Sequence, residues 1–218
     1  MDVHVATEQT SGRGRHGRAW RSPPGAGLYA SFVLLPERPS NGAALTIALG
    51  LACLDAVRRL GLARARLKWP NDVVVDGAKL AGVLAETRDL DPRRPAYVAG
   101  IGVNVAAHEF PADLVAERPV TSLALCGIAC DVEAVLVALV LAVQQRTRAI
   151  EHDPARLELD FVEAAGLTSR RVRAEVAAGP VAGTLIAFSV VDGLRIRTDS
   201  GSESRFALEH VRALASIE

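Results

Sequence analysis

The sequence predicts an α+β fold: a mixed β-sheet packed with helices, followed by a small C-terminal β-barrel. Three observations carry this. Residues 43–60 place apolar side chains at helical spacing, and a second long helix is read after Asp131. Around the first of them lie runs rich in β-branched and aromatic residues, bounded by Gly and Pro. Beyond about Gly166 helical periodicity stops, and short strands separated by Gly-Pro, Asp-Gly and Ser-Gly turns take over. The expected division is therefore residues 1–165 and residues 166–218.

In chain order, residues 3–6 read as a strand that delivers Glu8 and Gln9 to a glycine-rich loop. Residues 28–35 read as a buried strand ended by Pro36. Leu45, Leu49, Ala52, Ala56 and Leu60 mark one stripe of a core helix, and Gly61 suits its C-terminal cap. Residues 67–75 read as a strand interrupted at Pro70, and Asp76-Gly77 is a strong hairpin signal. That turn sends Lys79 into a strand over 80–86, back beside Asp72. Residues 96–105 form a continuous apolar strand. Its Gly100 and Gly102 signal either a bulge or a backbone that a ligand approaches closely. Asp131 is the expected N-cap of a helix to about His152, whose residues 132–143 are apolar on nearly every face, so that it is expected to be largely buried. A shorter helix over 154–165 follows. Strands are expected at 172–176, 183–188, 194–198 and 205–208.

Composition narrows the function classes. Lys+Arg and Asp+Glu both number 25, so the chain lacks the basic excess of a protein that lives on nucleic acid. Three cysteines, an odd and low number, argue for a reducing compartment rather than a disulfide framework. The longest apolar run, 134–143, is too short to span a bilayer, and no signal peptide is read at the start, so a cytoplasmic protein without membrane contact is expected.

The chemistry concentrates in two places. Residues 12–18, Gly-Arg-Gly-Arg-His-Gly-Arg, alternate glycines with guanidinium groups. Glycine at this density disfavours helix and strand interiors and lets backbone N–H groups approach a ligand; arginine forks match carboxylates and phosphates. The loop alone reads equally as an anion clamp or a solvated basic turn. The second place is Lys68-Trp69-Pro70-Asn71-Asp72, followed by Lys79-Leu80-Ala81-Gly82. No Ser-His-Asp order, nucleophile elbow or metal-ligand spacing accompanies them.

These motifs, in this order and together with Gly100-Ile101-Gly102-Val103-Asn104, resemble the biotin protein ligases, and the resemblance covers nearly the whole chain. It implies the class II aminoacyl-tRNA-synthetase-like fold of biotin and lipoate ligases with an SH3-like C-terminal barrel. It implies biotin–[acetyl-CoA-carboxylase] ligase activity: ATP and biotin, with Mg²⁺, give a biotinyl-5′-adenylate, and biotin passes to a lysine of a biotin carboxyl carrier domain. By the same resemblance, Lys79 and Arg15 are the catalytic pair. Gln9, Gly12, Arg13, Gly14, Arg15, Lys79, Gly82 and Gly102 bind biotin. Arg15, Arg18, Trp20, Asn71, Asp72 and Asn104 bind ATP or the adenylate, with Trp20 expected over the adenine. No metal motif is present, and Mg²⁺ is expected near Asp72 if anywhere.

The family usually has a further strand and helix before this point, with a Ser-Thr-Asn-type motif lining the biotin pocket. Some members also carry a DNA-binding helix-turn-helix. The sequence starts after both, so neither DNA binding nor full closure of the biotin pocket is expected of it. Weakening of biotin binding by about a hundredfold follows if two or three hydrogen bonds of about 1 kcal/mol are missing. Two other readings remain: a lipoate or octanoate ligase on the same fold, and a non-catalytic module binding biotin or nucleic acid through the glycine-arginine loop.

Overall fold

The structure is a computed structural model that describes residues 1–36, 41–88, 96–168 and 171–217. Six strands make the first sheet: β1 (Asp2–Ala6), β2 (Gly27–Leu34), β3 (Arg66–Lys68), β4 (Asp72–Val75), β5 (Ala78–Arg88) and β6 (Ala96–Asn104). Their order is β1-β2-β6-β5-β4-β3, and every ladder is antiparallel. The expected mixed character is limited to one isolated parallel bridge, Lys79 to Val120. Tight turns set the β3–β4 and β4–β5 pairs antiparallel, whereas parallel neighbours need long crossovers.

Period-two alternation decides which side chains face which way. On β2, Leu28, Ala30, Phe32 and Leu34 are buried in the core; on β6, Ala99, Ile101 and Val103 are. That face is covered by α1 (Gly42–Arg59), α3 (Val132–His152) and α4 (Pro154–Ala164). Helix α1 is the centre of the core, with twelve buried residues. Asn41 caps it, accepting from the Ala43 N–H at 2.8 Å, and Gly61 follows it with φ +104°. The opposite face of the sheet presents Val98, Gly100 and Gly102 of β6 and Gly82 and Leu84 of β5 to a cleft.

Residues 67–75 are not one interrupted strand. They form the β3–β4 hairpin around a cis Trp69-Pro70 bond, with Lys68 opposite Asp72. Proline lacks the N–H that a continuing ladder needs. At the next turn Asp76 (φ 50°) and Gly77 (φ 82°) both adopt the left-handed conformation of a two-residue hairpin. Helix α3 begins as expected, its N-cap Asp131 accepting from the Ala134 N–H at 2.7 Å. It is not largely buried, however. Only Val135, Ala138, Leu139, Ala142 and Val143 are, while Val137 and Leu141 are 61% and 50% exposed. One stripe suffices to seat the helix on α1 and against β2. A short helix, α2 (Ala112–Glu117), lies in the segment after β6 and buries no residue; no apolar periodicity announced it.

The C-terminal strands are β7 (Arg171–Val176), β8 (Gly179–Ser189), β9 (Gly193–Thr198), β10 (Glu203–Phe206) and β11 (Val211–Ser216), in the order β10-β9-β8-β7-β11. They supply the antiparallel sheet of the expected small barrel; hydrogen bonding leaves it open between β10 and β11. Trp69 fastens this sheet to the first one. Its Nε1–H donates to the Val211 carbonyl at 2.9 Å, and its ring meets Phe161 and Phe188 edge-on at 5.8 and 6.2 Å. Asn41 also donates to the Val190 carbonyl, and the Val190 N–H donates to Glu158.

Candidate active site

The glycine-rich face of the first sheet floors a cleft of about 880 Å³. Residues 9–22 fold over it. Gln9 bridges to Ser22 and Arg13 to Ala19, and the Trp20 N–H donates to the Gly12 carbonyl at 2.9 Å. The loop is thus a short flap pinned at two levels. Gly12 is required by that pinning: a Cβ there would run into the Trp20 carbonyl. Gln9 is oriented by Ser22, whose hydroxyl donates to Oε1 at 2.6 Å, leaving the amide N–H₂ of Gln9 for the cleft.

A row of four residues crosses the floor through the strand registers: Tyr29, Gly102, Gly82 and Asp72. The two central glycines leave bare backbone, and the Trp20 indole lies on it. A Cβ on Gly102 would stand 2.5 Å from the ring, and one on Gly82 would stand 3.2 Å from it. Trp20 Nε1 is buried with no hydrogen-bond partner. In this structure Trp20 covers the glycine pair.

Lys79 is held from both directions. Its N–H donates to the Pro119 carbonyl, and its carbonyl accepts from the Thr121 N–H, each at 2.9 Å. Residues 119–121 thereby take the place beside β5 that β6 vacates after Asn104. Lys79 Nζ lies 2.6 Å from Asp72 Oδ1 and 5.2 Å from the Trp20 ring centroid, with its side chain 13% exposed. Burial lowers the Lys79 pKa below the ordinary lysine value; Asp72 opposes that shift, and Arg118 and Arg18 add to it. Burial also lowers the Arg15 pKa, again opposed by Asp72. One carboxylate thus faces two of the cleft's cations.

Of the residues singled out in the sequence, the cleft gathers Gln9, Arg13, Gly14, Arg15, Arg18, Trp20, Asn71, Asp72, Lys79, Gly82 and Gly102 along its walls. Gly12 and Asn104 stand behind them. Asn104 donates to the Thr121 carbonyl at 2.9 Å and so fixes the segment that clamps Lys79. Asn71 donates to the Val83 carbonyl at 2.7 Å, bracing the β3–β4 hairpin against β5. Sequence reasoning passed over Arg118 and Arg212, which also line the cleft. Neither lies in a glycine-rich or otherwise patterned motif, and only the chain path brings them in.

Among the described lining residues seven basic side chains face two carboxylates, Asp72 and Glu86. Such a cleft suits a ligand with several negative charges. No group of three His, Cys, Asp or Glu side chains arranged for a metal occurs among the described residues. Cys53 is fully buried, with its thiol pushed up to about 12. Among the described residues no helix is long and apolar enough to cross a membrane.

Comparison with known proteins agrees with the motifs. The sequence model of the Biotin/lipoate A/B protein ligase family matches residues 1–105. The bifunctional ligase/repressor BirA of Salmonella typhimurium is 37% identical over 131 residues, 60% of this chain and 41% of that protein. The biotin–[acetyl-CoA-carboxylase] ligase of Mycobacterium tuberculosis is 34% identical over 183 residues, 81% of this chain and 65% of that protein. The matched region spans about two fifths of the length of the first of these relatives. In structure, the biotin protein ligase of Aquifex aeolicus, solved with biotin and ATP, superimposes with a TM-score of 0.77 at 28% identity, covering 99% of this chain and 89% of that one. In the order of its motifs, in the family match over residues 1–105 and in its fold, this chain is similar to the biotin protein ligases.

Proposed function

We propose that this protein joins biotin to a lysine of a biotin carboxyl carrier domain at the expense of ATP. The observation that carries the reading is the single cleft in which Lys79, Arg15 and Asp72 meet beneath the glycine-arginine flap. Two anions must approach for the first step. A biotin carboxylate oxygen bonds to the α-phosphorus while the bond from phosphorus to the pyrophosphate oxygen breaks. Fixed cations offset the repulsion and stabilise charge on the phosphoryl oxygens without reorganising. Lys79 and Arg15 do this at the junction of the two substrates. Gln9, Arg13 and the glycine floor at Gly82 and Gly102 receive biotin once the Trp20 indole, which lies on that floor, moves aside. Asn104 acts from behind, by holding residues 119–121 beside Lys79. In the second step the carrier lysine amine attacks the acyl carbon of the mixed anhydride, and AMP leaves.

Mg²⁺ fits this site as an ion brought by the phosphates: Mg²⁺ commonly keeps its waters and takes one or two carboxylates. Asp72 Oδ2 is the oxygen not engaged by Lys79 and would meet such an ion; its chemistry there would be neutralisation of phosphate charge. A cytoplasmic location belongs to the same proposal, as does the division into a catalytic part, residues 1–165, and a C-terminal part, residues 166–218.

The deciding experiment is ATP–pyrophosphate exchange with biotin, with lipoate and with no acid, followed by labelling of a carrier domain. Exchange that depends on biotin, with acyl transfer to the carrier lysine, is expected. Exchange with lipoate in preference to biotin, or none with either acid, would overturn the reading.

A further inference from the structure

Among the cleft's cations that the roles above leave unused is Arg118. Arg118 follows α2 and precedes the three residues that clamp Lys79. It lines the cleft, and its positive charge acts on Lys79. Its Nε–H is buried without a hydrogen-bond partner, and no ion pair to Arg118 occurs among the described residues. A buried donor left unpaired is unfavourable, and so is packing Arg118 and Arg18 against the charge of Lys79. Asp72 is already engaged by Lys79. The arrangement lacks an acceptor with negative charge.

The direction of the cleft says which acceptor. Strand β5 runs along the floor. At one end Arg13 lies 4.0 Å from Glu86; at the other stands Lys79. Seven residues of extended strand separate them, about 23 Å at 3.3 Å each. Gln9 and Arg13 come from the flap, whereas Arg118 comes from the segment beyond β6 that crosses at the Lys79 end. If Lys79 marks where carboxylate and α-phosphate meet, Arg118 lies on the nucleotide's side of that junction.

We propose that Arg118 binds the polyphosphate of ATP and the pyrophosphate that leaves, through its guanidinium and its now unpaired Nε–H. The inference rests on the proposed function for the identity of the nucleotide. Its backbone is set by the Arg118 N–H donating to the Leu114 carbonyl at 3.1 Å and by the Lys79 clamp next to it. The arginine is therefore held beside Lys79 before any ligand arrives.

The test compares the unaltered protein with Arg118→Ala and Arg118→Lys. ATP binding and pyrophosphate binding are measured directly by calorimetry, without biotin; biotin binding and thermal unfolding are measured beside them. Arg118→Ala is expected to weaken both ATP and pyrophosphate by about ten- to a hundredfold, the range for a lost charge-assisted hydrogen bond. Biotin affinity is expected to stay within about twofold, and Arg118→Lys, which restores charge without Nε, to recover part of the loss. Unchanged ATP and pyrophosphate affinity in Arg118→Ala would overturn the assignment, as would an equal loss of biotin affinity. Should Arg118→Ala fail to fold, the lysine variant decides alone: a loss of ATP affinity with biotin affinity kept supports the role, and full retention overturns it. These readings do not depend on biotin-dependent exchange, so failure of that exchange in the unaltered protein would strike the proposed function and leave the Arg118 result to stand by itself.

Discussion

At the residue scale, the site turns on Lys79 and its carboxylate. The charge of Lys79 is useful only while the amine is protonated, and burial already lowers its pKa. Lys79→Ala is expected to slow single-turnover adenylate formation by at least about a hundredfold, the size of effect seen when a group stabilising transition-state charge is removed. Adenylation at the normal rate in that variant would exclude the role. The pH dependence follows with a definite sign. Adenylation should fall as pH rises through the lowered Lys79 pKa, so its alkaline limb lies below the ordinary lysine value. Asp72 holds that pKa up, at 2.6 Å from Nζ. Asp72→Asn should therefore move the alkaline limb to still lower pH, and a pH profile of pyrophosphate exchange checks it; an unmoved limb would contradict the pairing. Folding responds to Lys79 in the opposite sense. The unfolded chain binds the proton more tightly, so the Lys79 contribution to stability rises with pH between the folded and unfolded pKa values.

At the scale of elements, strand alternation and glycine placement make the seat for Trp20. Gly82 and Gly102 are cross-strand partners on the cleft face of β5 and β6. Gly102→Ala would place a Cβ 2.5 Å from the indole, whereas a Cβ on Gly100 would meet nothing nearer than the Leu84 carbonyl at 3.8 Å. Both alanines suit a strand better than glycine does. Gly102→Ala is thus expected to keep the fold, displace Trp20 and lower biotin affinity, while Gly100→Ala leaves Trp20 in place. The chain has two tryptophans, so Trp69→Phe leaves Trp20 as the reporter. In that background its emission should move to the red with Gly102→Ala and stay with Gly100→Ala; equal spectra for both would refute the seat. The flap owes its shape to the same economy of side chains, since Gly12 lets the Trp20 carbonyl approach.

At the scale of the molecule, the two sheets are joined through few groups. Trp69 carries the join, because one side chain both packs with Phe161 and Phe188 and donates to the backbone of β11. The residue after that carbonyl is Arg212, which lines the cleft. Trp69→Phe keeps an aromatic ring and removes the donor. It is expected to lower stability by about 1–3 kcal/mol, for a buried acceptor left unpaired. Hydrogen exchange at residues 211–216 should quicken, while β2 and β6 keep their protection. Unchanged exchange at 211–216 would show that the hydrogen bond does not hold the C-terminal sheet. A second tie lies behind the first sheet, where Arg146 of α3 bonds Asp55 of α1 and Asp160 of α4.

Local chemistry made much of this legible in the amino-acid order. The helix over 43–60 with its Gly61 cap, the Asp76-Gly77 turn and the Asp131 cap depend on neighbours a few residues away, so their spacing announces them. The flap and the Lys79 motif were legible for the same reason, as glycines and cations massed at short range. Other features depend on residues distant in the chain. Whether α3 is buried on one face or on all depends on how many elements surround it, which its apolar residues do not encode. Trp69 donates to a carbonyl 142 residues away, and Arg118 and Arg212 reach the cleft through chain path alone. The sequence by itself determined most of the elements and the chemical character of the flap and the Lys79 hairpin. Tertiary packing alone decided that Trp20 lies on the glycine pair and that two arginines outside every motif join the site, because burial and charge proximity arise only when remote segments meet.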